Sequence, residues 1–254
     1  MLQITPTVKN LLIINVIIFL GQMLFDNFTG IMALWWVESQ NFAPYQYFTY
    51  MFAHGDMGHL FFNMLGLFFL GPMVESYWGA NRFLIFYMAV GIGASFFYTG
   101  IRYYEVNQFK QEYNRFMEEP SADRFEQFAY KTGRKLLTED GYQLIDNYAK
   151  NPDNPSYRQR SINAAREIYA HKVNNGSMLG ASGAIYGLIL ALGMLFPERE
   201  LRLLFPPIAL KAKYFALIFG GLALYMSLQG QDDGVAHFAH LGGMVFAFIF
   251  IKKF

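Results

Sequence analysis

The sequence predicts an all-α polytopic membrane protein, a bundle of six helices interrupted by one polar helical insertion. Three observations predict it. Hydrophobic residues make up 54% of the chain and charged residues only 15%, against roughly 25% charged in soluble domains. The apolar residues fall in six runs, near 11–25, 60–78, 83–98, 185–196, 214–228 and 235–251. Between the third and fourth runs, residues 102–175 carry twelve Lys or Arg and eleven Asp or Glu.

A helix needs about 20 mostly apolar residues to cross the hydrocarbon core, so several runs borrow flanking residues or tilt. The 185–196 run extends back through Ser182. The first run competes with a signal-peptide reading; it lacks a basic start and a small-x-small cleavage site, and is taken as a span. Charge orients the bundle, because short cytoplasmic loops collect Lys and Arg. Lys9, Arg82, Arg199, Arg202, Lys211, Lys213, Lys252 and Lys253 share one side if the spans alternate. The opposite short segments, 26–56 and 229–234, hold no Lys or Arg. Both termini are therefore expected in the cytoplasm, with the chain in a cell (inner) membrane.

The 102–175 segment is expected to be an extracytoplasmic helical insertion, with 1–101 and 176–254 forming the transmembrane core. Neither charge sign dominates it, which argues against nucleic acid as a partner. Ser121, Thr138 and Ser156 suit helix N-caps, and the run from Asn151 to Pro155 reads as a turn. Phe109, Tyr113 and Phe116 recur at helical spacing, as do Phe125 and Phe128. A flexible loop is the alternative. The absence of cysteine excludes disulfides and thiol chemistry.

Chemistry concentrates at helix ends. Gly180-Ala181-Ser182-Gly183 opens an apolar helix whose first amides point back at the serine, where an oxyanion would form. Gly183 and Gly187 equally make a small-residue packing seam. His240 is an ionisable group within a span, which calls for a polar cavity or partner. Gly243 and Ala247 give its helix a small face that would meet Gly183 and Gly187 and bring His240 to Ser182. Tyr186, at i+4 from the serine, would orient the imidazole. No acidic third member is evident, since Asp232 and Asp233 lie too far up the loop, and a Ser–His dyad suffices in principle. His237 is a competing base. His59 and Asn63, at i and i+4, share a helix face and suit oxyanion donors, or else an interhelical hydrogen bond. His54 with His59 lacks the spacing and nearby carboxylate of a metal site, so neither metal nor cofactor is expected.

With these residues in hand, the chain resembles the rhomboid intramembrane serine proteases. The resemblance rests on the run from Phe48 to Gly55 followed by His59-Leu60-Phe61-Phe62-Asn63, and on Glu75, Gly79, Arg82 and Phe83. It rests equally on Gly180-Ala181-Ser182-Gly183 with Tyr186, and on Ala239-His240-Leu241-Gly242-Gly243. It implies a six-helix rhomboid-like bundle with Ser182 as nucleophile and His240 as general base. His59, Asn63 and the Ser182 amide would form the oxyanion hole, with Gly180 and Tyr186 in support. The implied substrates are transmembrane proteins cut near the extracytoplasmic face of the lipid bilayer. Two features depart from the pattern. Tyr45-Gln46 stands where the family carries Trp-Arg, so packing of the first outer loop against lipid would rest on Trp35 and Trp36. The 102–175 insertion replaces a connection that is short in minimal members. Retention of Ser182 and His240 argues against a non-proteolytic relative, and no internal repeat supports a transporter.

Overall fold

The structure, a computed structural model, describes residues 3–132, 137–202, 208–229 and 234–253. Helix α1 (Pro6–Leu24) leads through short α2 (Phe28–Met32), α3 (Gln46–Thr49) and a 3-10 turn (Tyr50–Phe52) to α4 (Met57–Trp78) and the long α5 (Ala80–Glu118). Then come α6 (Ala122–Thr132), α7 (Glu139–Lys150), α8 (Pro155–Asn174), α9 (Ser182–Leu195), strands β1 (Glu200–Arg202) and β2 (Ala209–Lys211), α10 (Ala212–Leu228) and α11 (Gly234–Lys253). The chain divides into two compact units, one of Met1–Trp35, Asn41–Ile101 and Ser177–Phe254, the other of Trp36–Gln40 and Arg102–Gly176.

In the first unit α1, α4 and α5 are long and apolar enough to cross a membrane, while α9 and α10 are shorter apolar helices. Exposed Ile17, Leu20 and Leu24 on α1 and Leu217, Leu222 and Leu228 on α10 are costly in water and suit contact with lipid. Glu75, buried in α4, is answered by the start of α1. Its carboxylate accepts the Thr7 and Val8 N–H groups, each at 2.9 Å, and the Thr5 hydroxyl. Those amides have no partner within their own helix, so one acid both caps α1 and fixes it to α4.

Helix α9 is the centre. Its Ala184, Leu188, Ala191 and Leu192 are essentially inaccessible. At 14 residues it is about 21 Å long, short of the roughly 30 Å hydrocarbon layer. As a straight helix with Ser182 at one end, it cannot reach across that layer by itself. Beyond its other end, β1 and β2 pair antiparallel, Leu201 opposite Leu210. Lys211, at 2.8 Å, and Lys213 ion-pair with Glu198 and hold its carboxyl down to about 2. The acid is fully exposed, so solvent screens the pair.

The second unit has its own core. Phe109 and Phe116 of α5, Phe125 and Phe128 of α6, Leu144 and Tyr148 of α7 and Ile168 of α8 are buried together, and Tyr113 stacks on Tyr169 at 4.4 Å. Thr138 caps α7, accepting from the Gly141 N–H, and Ser121 Oγ accepts from the Arg124 N–H at 3.4 Å. The expected cap at Ser156 is corrected: Asn154 caps α8, its side chain accepting the Ser156 N–H at 2.9 Å, with Pro155 at the first helical position. Proline there gives up a donor the helix cannot use, and Asn is the better cap one residue earlier. The expectation for Trp36 is also corrected. It is 3% exposed and packs with Val106 and Val173, so it does not face lipid. Trp35 is half-buried, its indole donating to the Gly30 carbonyl at 2.7 Å. Buried Arg102 donates to the Lys172 and Asn175 carbonyls at 2.7 and 2.9 Å, closing the C-terminal end of α8.

Candidate active site

Ser182 is the first residue of α9. The first helical bond after it runs from the Ile185 N–H to the Ala181 carbonyl at 3.1 Å, and Ala181 offers no side-chain cap. The amides of the first turn are thus unclaimed by the helix and available to an anion. Gly180 turns the chain into this position with φ +112°, and its N–H donates to the Tyr50 carbonyl at 2.9 Å. Leu34 and Met178 exchange backbone hydrogen bonds at 2.8 and 2.9 Å, pinning the approach to the serine.

Helix α11 brings the base. A Cβ on Gly243 would overlap the Gly183 carbonyl, and one on Gly187 would meet Ala247 Cβ at 3.3 Å. With only glycines and the Ala247 methyl between them, the two backbones approach closely enough for side chains one turn away to meet. His240 Nε2 lies 2.8 Å from Ser182 Oγ. Tyr186 stacks on the imidazole with centroids 4.2 Å apart and planes within 2°. If Nε2 accepts the serine proton, Nδ1 carries the ring's own hydrogen. That Nδ1 is buried and has no hydrogen-bond partner among the described residues. Asp232 and Asp233 lie outside the described residues. His237 meets His240 edge-to-face at 5.5 Å.

His59 approaches from α4. Asp56 caps that helix by accepting the His59 N–H at 2.8 Å. The ring's Nδ1 accepts the Gly55 N–H at 3.3 Å, which assigns the hydrogen of the neutral ring to Nε2. A Cβ on Gly180 would lie 2.6 Å from that Nε2, so the His59 donor abuts the turn that carries the serine. Asn63 is buried; its Nδ2 donates to the His59 carbonyl at 2.8 Å, and its Oδ1 has no partner among the described residues. The side chain is thus held on its own helix, with one N–H of the amide left over.

The Rhomboid domain family model matches residues 41–106 and 162–253. The chain belongs to the rhomboid family. No curated protein matches it. As a rhomboid, it is an integral membrane protein of a family of intramembrane serine proteases, hydrolases that act on transmembrane substrates within the bilayer. Residues 107–161, between the two matched stretches, fall within the second compact unit.

Two functional candidates escaped the sequence reading. Gln46, buried in α3, donates to the Asn41 and Ile31 carbonyls at 2.8 and 3.3 Å and accepts from the Ala43 and Trp35 N–H groups at 3.1 and 3.3 Å. One amide thereby holds four backbone groups of the first outer loop. Gln22 of α1 binds the backbone of His54. Its signal was a long polar amide inside the first apolar run, where such groups are expensive and need partners.

Proposed function

We propose that this rhomboid cleaves transmembrane proteins near the extracytoplasmic face by a Ser182–His240 dyad. The 2.8 Å contact between His240 Nε2 and Ser182 Oγ carries the reading. His240 takes the serine proton as Oγ attacks the scissile carbonyl, then returns it to the leaving amine. Water deacylates the enzyme by the same route. The His59 Nε2–H, the remaining Asn63 N–H and the unclaimed amides of α9 hold the oxyanion, donors fixed before charge develops. Stacking on Tyr186 supports the orientation that an acid would otherwise provide. A helical substrate must unwind locally, so residues of low helix propensity near the cut are favoured.

The charge pattern supports cytoplasmic termini, a cell (inner) membrane location and an extracytoplasmic 102–175 insertion. The test is cleavage of a panel of model transmembrane substrates by purified protein. Ser182→Ala and His240→Ala should each abolish cleavage, and the double variant should be no worse, because groups acting as a unit are not additive. Fluorophosphonate labelling at another serine, or persistent cleavage by Ser182→Ala, would overturn the dyad.

A further inference from the structure

From the contacts of α1 we infer that Gln22 is a positioning residue for the oxyanion site, acting on His59 through the backbone of His54. Like the dyad, this rests on the protease reading above. Gln22 is half-buried near the end of α1. Its Oε1 accepts the His54 N–H at 3.0 Å, while its Nε2 donates to the His54 carbonyl at 3.0 Å and to Thr29 Oγ1 at 2.8 Å. Donor and acceptor are matched at each contact with His54, and a flipped amide would set like against like at both.

The segment so held needs it. His54 is 1% exposed, and neither of its ring nitrogens has a hydrogen-bond partner among the described residues. Its backbone N–H and carbonyl both go to one side chain. From there two contacts lead to His59. The His54 ring meets the His59 ring edge-to-face, centroids 5.1 Å apart. The next amide, Gly55 N–H, donates to His59 Nδ1 and so keeps the hydrogen on Nε2, the nitrogen that abuts Gly180. Without the Gln22 amide, two buried backbone groups of His54 lose their partners, and the segment that aims His59 and selects its tautomer is free to shift.

The experiment is a double-mutant cycle in liposomes containing wild type, Gln22→Met, His59→Ala and the pair, with kcat and KM measured on one cleaved transmembrane substrate. Gln22→Met keeps the length of the side chain and removes its polar atoms. It should lower kcat roughly tenfold to a hundredfold, the scale of a misplaced catalytic group, with KM little changed. In the His59→Ala background the same substitution should change kcat by less than about twofold, because the group it positions is gone. An equal loss in both backgrounds, or no loss in the wild-type background, overturns the inference. If Gln22→Met does not fold, Thr29→Val decides: it removes only the outer support of the amide, and a loss of kcat that His59→Ala absorbs is expected. An unchanged kcat in folded Thr29→Val overturns the inference. Ser182→Ala run in parallel separates the two readings, since retained cleavage there sinks the protease mechanism, whereas an additive cycle with dead Ser182→Ala sinks only the role of Gln22.

Discussion

At Gly180 two demands fall on one Cα. The backbone sits at φ +112°, where L side chains are strained by about 1–3 kcal/mol, and a Cβ would lie 2.6 Å from His59 Nε2. Gly180→Ala should therefore lower turnover per folded molecule further than it lowers thermal stability, because relief of the contact moves the His59 donor. Normal fluorophosphonate labelling in a folded Gly180→Ala protein would count against this. Asn63 makes the complementary case. Its hydrogen bond runs to its own helix, so Asn63→Ala should unfold at nearly the wild-type temperature while turnover falls roughly a hundredfold to a thousandfold, the usual cost of one preorganised oxyanion donor. A sharp drop in unfolding temperature with normal turnover would instead assign it to structure.

Where Gly183 meets Gly243, α9 and α11 touch through backbone, and that decides which glycines are replaceable. At Gly243 a Cβ would overlap the Gly183 carbonyl, which cannot rotate aside as a side chain can. Overpacking of this kind costs about 1–3 kcal/mol or more, and because His240 lies on the same helix, Gly243→Ala should lose stability and activity together. A Cβ on Gly221 of α10 would meet no atom of the described residues within 4 Å. Gly221→Ala should be neutral or stabilising by up to about 1 kcal/mol through helix propensity. Thermal unfolding in detergent, paired with labelling of Ser182, separates the two outcomes, and equal behaviour would refute the account of the seam.

The second compact unit holds its own aromatic core and supplies none of the groups around Ser182 named above. Replacing 102–175 with a short Gly/Ser linker should leave Ser182 reactive to a small fluorophosphonate while changing which protein substrates are cut. Trp36 belongs to that unit, buried on Val106 and Val173, so the excision should carry Trp36→Ser to avoid leaving a bare indole. Loss of labelling in a variant that still folds and inserts would mean that the insertion is required to assemble the site.

Much of the fold was legible because hydropathy is local and additive: each apolar run declares a helix whatever its neighbours do. His240 and Asn63 stood out for a related reason, as polar groups within apolar runs, and Ser182 as a glycine-flanked serine at the opening of one. Helical spacing made the face shared by Ser182 and Tyr186 readable as well. What tertiary structure decided depends on the register between distant segments. The hydrogen-bond distance between Ser182 and His240 and the ring nitrogen that carries the His59 hydrogen follow from helix packing and from the Gly55 amide. The partners of Gln22 and Gln46, and the burial of Trp36 against Val106 and Val173, likewise depend on contacts far apart in sequence. Asn154 displaced Ser156 as the cap of α8 because Pro155 sets the first helical residue, a local competition that residue types alone left open. Residue types and spacing say which groups must find partners; which partners they find depends on ångström-scale hydrogen-bond geometry that arises when the chain folds.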